Sequence, residues 1–248
     1  MEIIRKPMLE YGKPEFDKEY MKWGLHDRET QLKEAESVLG IVPQGRLRIL
    51  DLACGIGTHA VYWASKGHQV SAVDISQTFT DEGKKLAEEK GVEVTFEVGD
   101  IKTLPYKGCF DVVAWVEKSF FDDEAAKAIH GYLANEGLFI MDERNPEHPR
   151  IKQRTGNWRT WSQKDGAYYL ERHELEETDG LRHDEWIEIN PATGKIVEKS
   201  SVFKPSDRSD AEMLQDNGFT TEFRTMSCGV FSGGPDEYWL WLVARKQA

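Results

Sequence analysis

The segment Ile49-Leu-Asp-Leu-Ala-Cys-Gly-Ile-Gly57 predicts the architecture of this protein. A short apolar run of the kind that forms a buried strand contains Asp51 near its end. Gly55 and Gly57 then allow a tight turn in which the backbone can approach a ligand. Residues Thr58 to Lys66 follow with the apolar spacing of a helix. Such a strand, turn and helix place the ligand in the crevice beyond the carboxyl end of the strand.

The same alternation continues along the chain. Further strands are predicted at 69–73, 92–98, 110–116 and 138–141, and helices at 76–90 and 122–134 separate them. A last helix at 207–217 precedes two final strands at 219–226 and 238–244. Strands that alternate with helices form a mostly parallel sheet with helices on both faces. The fold class is therefore α/β, with a Rossmann-like seven-stranded sheet.

Three segments follow from these patterns. Residues 1–45 are predicted to form an N-terminal helical cap, and residues 46–149 with 206–248 form the ligand-binding domain. Residues 150–205 are predicted to be an antiparallel β insertion after the fifth strand, with strands at 168–176, 181–189 and 196–203. This insertion is expected to be a substrate lid or a dimer contact.

Composition narrows the class of function. The chain has 248 residues, a net charge of -12 and only three cysteines, so a disulfide framework is not expected. No apolar run approaches the roughly 20 residues that span a bilayer, and no signal peptide is visible at the N-terminus, so we expect a cytoplasmic protein without a membrane partner. The acidic charge argues against nucleic acid as a partner and favours a cationic or neutral substrate, although acidity also serves solubility.

Three carboxylates are predicted at successive strand ends. Asp51 suits a cationic amine, and Asp74 can accept hydrogen bonds from both hydroxyls of a ribose. Gly99 and Asp100 follow the third strand, where the carboxylate can accept a hydrogen bond from an adenine amino group. These three positions match S-adenosylmethionine, a ligand with a cationic end, a ribose and an adenine.

A dinucleotide-binding site is the main alternative. Gly55-Ile-Gly-Thr-His-Ala60 also fits the Gly-x-Gly-x-x-Ala pattern of dehydrogenases, with Asp74 at a suitable distance. A pyrophosphate disfavours a carboxylate as near as Asp51, and the dinucleotide pattern does not require Gly99 and Asp100. The residues therefore favour S-adenosylmethionine over NAD(P).

The chain resembles the class I S-adenosylmethionine-dependent methyltransferases from about residue 20 to its end. The segments that carry the resemblance are 50–59, 67–76, 98–101, 110–113, 133–139 and 218–219, with Asn135-Glu-Gly137 where the family often has Pro-Gly-Gly. The resemblance implies an antiparallel last strand and a small-molecule type with a β-rich insertion. It also implies S-adenosylmethionine as cofactor and S-adenosylhomocysteine as product.

The resemblance extends the cofactor site beyond the three carboxylates and the glycines. The added residues are Trp23, Ala53, His59, Ile75, Ser76, Ile101 and Val116. Trp23, in the N-terminal segment, could close over the cofactor or simply pack on the sheet. His59 could contact a ligand or serve only in packing, and both interpretations remain open.

Methyl transfer from a sulfonium is a direct displacement, so the protein chiefly aligns the reactants and excludes water. The resemblance implies that the fourth strand ends beside the reacting methyl group. Glu117, which follows this strand, is therefore the candidate general base or substrate anchor, and a cofactor-pocket or surface carboxylate is the alternative. Arg144 and Trp158 are the candidate substrate contacts. His173 and His183 complete no ligand set, so no metal is expected.

The sequence thus predicts a methyltransferase that acts on an N or O nucleophile of a small molecule, as a monomer or homodimer. A peptide or protein methyltransferase, an NAD(P)-dependent oxidoreductase and a binding module without catalysis are the alternatives.

Overall fold

A computed structural model describes residues 2–7, 12–22, 28–118, 120–145, 159–162, 166, 168–175, 182–203, 208–226 and 239–247. The chain divides into two compact units. We call Tyr11–Asn145 with Arg208–Ala248 the sheet unit, and Met1–Glu10 with Pro146–Asp207 the insertion unit.

The described elements follow in chain order. They are β1 (Glu2–Pro7), α1 (Pro14–Lys22), α2 (Arg28–Leu39), β2 (Arg48–Leu52), α3 (Thr58–Ser65), β3 (Gln69–Asp74), α4 (Gln77–Lys90), β4 (Thr95–Val98), β5 (Phe110–Trp115), α5 (Asp123–Tyr132), β6 (Leu133–Arg144), β7 (Arg159–Ser162), β8 (Tyr168–Leu175), β9 (Arg182–Asn190), β10 (Lys195–Phe203), α6 (Asp210–Asp216), β11 (Phe219–Thr225) and β12 (Trp239–Lys246).

The sheet unit contains a seven-stranded sheet in the order β11-β12-β6-β5-β2-β3-β4. Strands β2 to β6 run parallel, and β12 is antiparallel to both of its neighbours. The Rossmann-like α/β fold with an antiparallel last strand is therefore confirmed. The chain moves outward from β2 to β4 on one side and from β5 to β6 on the other, so the order reverses between β2 and β5. Ligands bind at such a reversal in open α/β sheets.

Helices cover both faces of this sheet because alternate strand residues are apolar on each side. Ile49 packs in a core cluster with residues of α2 and α3, whereas its neighbour Leu50 packs in a second cluster with residues of α5 and α6. Trp63 of α3 donates an indole hydrogen bond to the carbonyl of Ala35 at 2.9 Å, which ties α3 to α2. These contacts fix the first turn of α3 beside the end of β2.

The insertion unit contains a five-stranded sheet in the order β1-β10-β9-β8-β7. All neighbours are antiparallel except β1 and β10, which run parallel. The expectation of a helical cap from the first residue is wrong for residues 2–7, and α1 and α2 form the helical part. Strand β1 was missed because its six residues hold only two isoleucines and its partner lies far along the chain, with Ile3 opposite Ile196. Strand β7 was also not predicted.

Among the described residues, no helix has both the length and the apolar character that a membrane-spanning helix needs.

Candidate functional site

The carboxyl ends of β2, β3 and β5 lie side by side, because β2 pairs in parallel with both of the other strands. Asp51 belongs to the end of β2, Asp74 ends β3 and Glu117 follows β5. The sheet therefore gathers at one edge three of the carboxylates that the sequence singled out. Asp100 follows β4, the next strand outward.

The glycine turn bridges β2 and β3. The backbone N–H of Gly55 donates to Oδ2 of Asp74 at 2.8 Å, and the N–H of Cys54 donates to the carbonyl of Val73 at 3.0 Å. Gly55 has a φ of 52°, and a Cβ built on it would meet nothing within 4 Å. This open direction leaves room for a ligand to approach the backbone, and contact of Gly55 with a ligand stays a prediction.

Gly57 packs closely against strand β4. Its φ is 72°, and a Cβ there would lie 2.6 Å from Cε1 of Phe96, which belongs to β4. The close packing of the Phe96 ring therefore excludes a side chain at this position. Ala53 also has a positive φ, 50°, and it is exposed at the same turn. Contact of either residue with a cofactor stays a prediction.

Asp51 is buried, and only part of its hydrogen-bonding capacity is used by the described residues. It accepts a hydrogen bond from the backbone N–H of Ala60, but its Oδ2 has no hydrogen-bond partner among the described residues. Burial raises the pKa of Asp51 to about 7, and the nearby charge of His59 opposes this rise. A buried carboxylate oxygen without a donor is costly, so this atom is suited to a donor that a ligand brings.

Asp74 is held in place by the backbone. Besides Gly55, the N–H of Ser76 donates to its Oδ1 at 2.9 Å. Burial raises the pKa of Asp74 above its usual value. Each carboxylate oxygen keeps capacity for a further donor, so Asp74 can still accept hydrogen bonds from a diol. The neighbouring side chain of Ile75 is 53% exposed and offers an apolar surface beside this carboxylate.

Ser76 connects this strand end to α1. Its hydroxyl accepts from the N–H of Phe79 as the N-cap of α4 and donates to Oδ2 of Asp17 at 2.5 Å. Asp17 is buried and also accepts from the N–H of Gly12 at 3.1 Å. Asp17 could not be singled out from the sequence, since nothing in the pattern of α1 distinguishes it from a surface acid.

The residues after β4 divide into an exposed and a buried part. The N–H of Gly99 donates to the carbonyl of Asp74 at 3.0 Å, which joins the ends of β3 and β4. Asp100 is exposed, and its Oδ1 accepts from the N–H of Lys102 at 2.9 Å. Ile101 packs into the core, and its carbonyl accepts from the Tyr132 hydroxyl at 2.9 Å. Asp100 is therefore the group of this segment that can meet a ligand.

A buried carboxylate at the end of β6 holds the turn after β5. Oδ1 of Asp142 accepts from the N–H groups of Glu117, at 2.6 Å, and Lys118, at 3.3 Å. Glu117 has a φ of 62°, a left-handed conformation that costs a non-glycine residue free energy. Burial raises the pKa of Asp142 to about 6, while the charge of Lys118 opposes the rise. Val116, just before the turn, is buried in the core.

Lys118 extends this arrangement to α6. Its Nζ contacts carboxylate oxygens of Glu143 at 2.7 Å and Asp210 at 2.5 Å. Burial alone would lower the pKa of Lys118, but the two carboxylates outweigh it and raise the pKa. The turn that carries Glu117 is therefore held in two ways: Asp142 accepts from its backbone N–H groups, and the side chain of Lys118 pairs with two carboxylates.

His59 lies on the first turn of α3 and is buried. Its Nε2 is 3.2 Å from Oε2 of Glu34, a buried residue of α2. The imidazole ring stacks on Trp63 with 5.9 Å between ring centroids. Sequence reasoning missed Glu34, because its spacing in α2 is that of an ordinary helix residue.

The remaining predicted residues are described only in part. Arg144 is half-buried at the end of β6, with its guanidinium carbon 5.6 Å from the centroid of the Trp239 ring. Trp23 and Trp158 lie outside the described residues, so their predicted contacts stay predictions. In the described ranges, no three His, Cys, Asp or Glu side chains group in a way that could hold a metal ion.

Residues 49–137 match the model of a family described as a methyltransferase domain. A malonyl-(acyl-carrier protein) O-methyltransferase of Pectobacterium atrosepticum is 33% identical over 93 residues, covering 36% of this chain and 35% of that protein. A 23S rRNA uracil C5-methyltransferase of Pyrococcus abyssi is 27% identical over 105 residues, covering 40% of this chain and 26% of that protein. A glycine N-methyltransferase of Oryctolagus cuniculus is 28% identical over 152 residues, covering 51% and 52%.

A solved structure extends the likeness to the whole fold. The CcbJ methyltransferase of Streptomyces caelestis superposes with a TM-score of 0.69 over 89% of this chain and 90% of that chain, at 19% identity. The chain thus spans between a quarter and about half of the length of the curated relatives above, while the fold matches nearly end to end.

Proposed function

We propose that this chain transfers a methyl group from S-adenosylmethionine to a small molecule, because its fold superposes on that of a methyltransferase and residues 49–137 match the model of a methyltransferase domain family. The observation that carries the proposal is the buried Oδ2 of Asp51, which has no hydrogen-bond partner in the part of the chain that the structure describes. Asp51 lies at the strand end that leads into the Gly55 turn, where a Cβ would meet nothing within 4 Å. A cationic amine is the group that such an oxygen accepts best.

The described residues fit the three parts of this cofactor. Asp51 would accept the ammonium group of the amino-acid part, and Asp74 would accept the ribose hydroxyls. Asp100, exposed beyond β4, would accept the adenine amino group, and the exposed side chain of Ile75 would pack on the adenine ring. When bound, the cofactor supplies a methyl group already activated by its sulfonium.

The protein's own residues would align the acceptor and exclude water. Glu117 is the candidate for contact with the acceptor, because the turn after β5 is fixed by Asp142 and by the ion pairs of Lys118. Its carboxylate would take a proton from an acceptor that arrives protonated, or would anchor a cationic acceptor. Arg144, at the end of β6, and Trp158 are proposed to contact the rest of the substrate.

The acceptor is proposed to be a small amine or hydroxyl compound rather than nucleic acid. The net charge of -12 and the carboxylates at the strand ends disfavour a phosphate backbone. RNA and small-molecule methyltransferases both occur among the relatives, so both classes belong in the test. A peptide or protein acceptor is the alternative to a small molecule.

A turnover screen tests this proposal. The full chain is incubated with S-adenosylmethionine and separate panels of amines, phenols, carboxylates, short peptides and RNA, and S-adenosylhomocysteine release is measured. Release stimulated by amines or hydroxyl compounds supports the proposal. Release stimulated only by RNA contradicts the substrate class, and release by no panel although the cofactor binds would favour a binding module.

A further inference from the structure

His59 and Glu34 form a buried pair that the proposed chemistry does not use. The side chains are 7% and 1% exposed, and 3.2 Å separates Nε2 from Oε2. A histidine and a carboxylate that are both removed from water require each other as partners, because either charge alone would be costly to bury. Burial of this pair therefore costs free energy, and packing alone does not explain why these two residues are buried.

The pair lies next to the carboxylate that is proposed to receive the cofactor. His59 and Ala60 are consecutive on α3, and the N–H of Ala60 donates to Asp51. The charges that act on the imidazole come from Glu34 of α2, Asp51 of β2 and Glu117 after β5. On Asp51 itself the acting charges are those of His59 and of Asp74 of β3. Three described acids thus act on the imidazole of His59, and Asp51 is in turn acted on by His59 and by a fourth acid, Asp74.

We propose that His59, held by Glu34, is a positioning residue that keeps Asp51 ionised so that Asp51 can bind the ammonium group of S-adenosylmethionine. This inference rests on the proposed function. It follows from the placement of the groups. Oδ2 of Asp51 has no hydrogen-bond partner among the described residues, the backbone donor to Asp51 is Ala60, the residue after His59, and the His59 imidazole is held 3.2 Å from Glu34.

The direction of each pKa agrees with this role. Burial by itself lowers the pKa of His59, but the hydrogen bond with Glu34 and the surrounding acids outweigh burial and raise it. Burial raises the pKa of Asp51 to about 7, and the charge of His59 limits that rise. Because only the carboxylate binds an ammonium group well, cofactor affinity should fall as the pH is lowered through about 7.

The experiment measures the Kd for S-adenosylmethionine by calorimetry from about pH 6 to about pH 9, a range that brackets the titration of a perturbed carboxyl group. We expect the parent to lose affinity by up to about tenfold per pH unit below its midpoint. In His59→Gln the pH midpoint of S-adenosylmethionine binding should move upward by about one pH unit or more, because a charge that stabilises ionised Asp51 is lost. The matched control is His68→Gln, at the amino end of β3, which should leave the midpoint unchanged.

A second variant tests the pair without removing the imidazole. In Glu34→Gln, the midpoint should move in the same direction as in His59→Gln. An NMR titration of the ligand-free protein should show the pKa of His59 above its usual value in the parent and below it in Glu34→Gln, because burial then dominates. This readout remains decisive if His59→Gln does not fold.

The outcomes separate the two proposals. Binding of S-adenosylmethionine with the same pH midpoint in the parent, His59→Gln and Glu34→Gln overturns the positioning role and leaves the proposed function standing. A parent that binds no S-adenosylmethionine at any pH overturns the proposed function, and with it the inference.

Discussion

At the scale of single residues, two glycines with positive φ distinguish backbone strain from steric exclusion. Gly67 has a φ of 92°, and a Cβ added to it would meet nothing within 4 Å. Gly57 has a φ of 72°, and a Cβ added to it would collide with the Phe96 ring. We expect Gly67→Ala to lower the free energy of unfolding by about 1–2 kcal/mol through the left-handed conformation alone. Gly57→Ala should cost about 1–3 kcal/mol more, because the added methyl group overpacks the site.

Denaturant unfolding of the two variants checks this expectation. Equal losses in both would contradict the close packing of Phe96 on the turn. Replacement of Phe96 by Leu in the Gly57→Ala background should recover part of the loss.

Glu117 provides the residue-scale prediction for catalysis. If it serves as the base, Glu117→Gln should lower kcat by about 100-fold or more and leave the Kd for S-adenosylmethionine nearly unchanged. The matched control is Glu136→Gln, since Glu136 has the same φ of 62° but is exposed near the start of β6. Near-normal turnover of Glu117→Gln with a saturable acceptor would exclude the catalytic role.

The carboxylates on strands could be predicted from the sequence, and those on helices could not. Asp51 and Asp74 were found because the end of a parallel strand is where ligands bind, so position in a strand is already informative. Asp17 and Glu34 reach the site only through tertiary contacts, with Ser76 and His59 respectively. Their local pattern is that of any amphipathic helix, which is why the sequence analysis did not identify them.

At the scale of elements, the carboxylate of Asp142 joins β6 to the turn after β5, and the pKa of this carboxylate is raised. The folded-state pKa of Asp142 is about 6, above the unfolded value of 3.8, so the ionised form is disfavoured in the folded protein. The free energy of unfolding therefore falls as the pH rises from about 4 to about 6. Asn at this position keeps an oxygen that accepts both N–H groups and carries no charge to bury.

Asp142→Asn should thus be more stable than the parent at about pH 8, by roughly 1–3 kcal/mol, and similar to it at about pH 4. Guanidinium unfolding at both pH values measures this difference. Asp111→Asn is the control of opposite sign. Because Arg48 lowers the pKa of Asp111 below 3.8, this variant should be less stable than the parent both at about pH 8 and at about pH 4. If Asp142→Asn were less stable than the parent at about pH 8, this would contradict a raised pKa of Asp142 in the folded protein.

The elements of the sheet unit were predictable because each strand and helix carries its own local pattern. The apolar runs of β2, β3 and β5 and the N-cap at Ser76 need no knowledge of the rest of the chain. Strand β1 was not predictable, since its parallel pairing with β10 joins residues almost at opposite ends of the sequence. The division into a sheet unit and an insertion unit is likewise a tertiary property.

At the scale of the whole molecule, charge and topology point to the same class of ligand. The chain carries a net charge of -12, and the reversal of strand order lies where Asp51, Asp74 and Glu117 are gathered. An acidic crevice attracts a cation and repels a pyrophosphate. This is the physical difference between a methyltransferase and a dinucleotide-dependent oxidoreductase on similar parallel sheets.

Calorimetry of the full chain with S-adenosylmethionine and, separately, with NAD and NADP tests this central claim directly. We expect saturable binding of S-adenosylmethionine at one site and no binding of either dinucleotide. Asp74→Asn should weaken the binding of S-adenosylmethionine by about tenfold or more, because hydrogen bonds to a charged acceptor are lost. Binding of a dinucleotide without binding of S-adenosylmethionine would contradict the account.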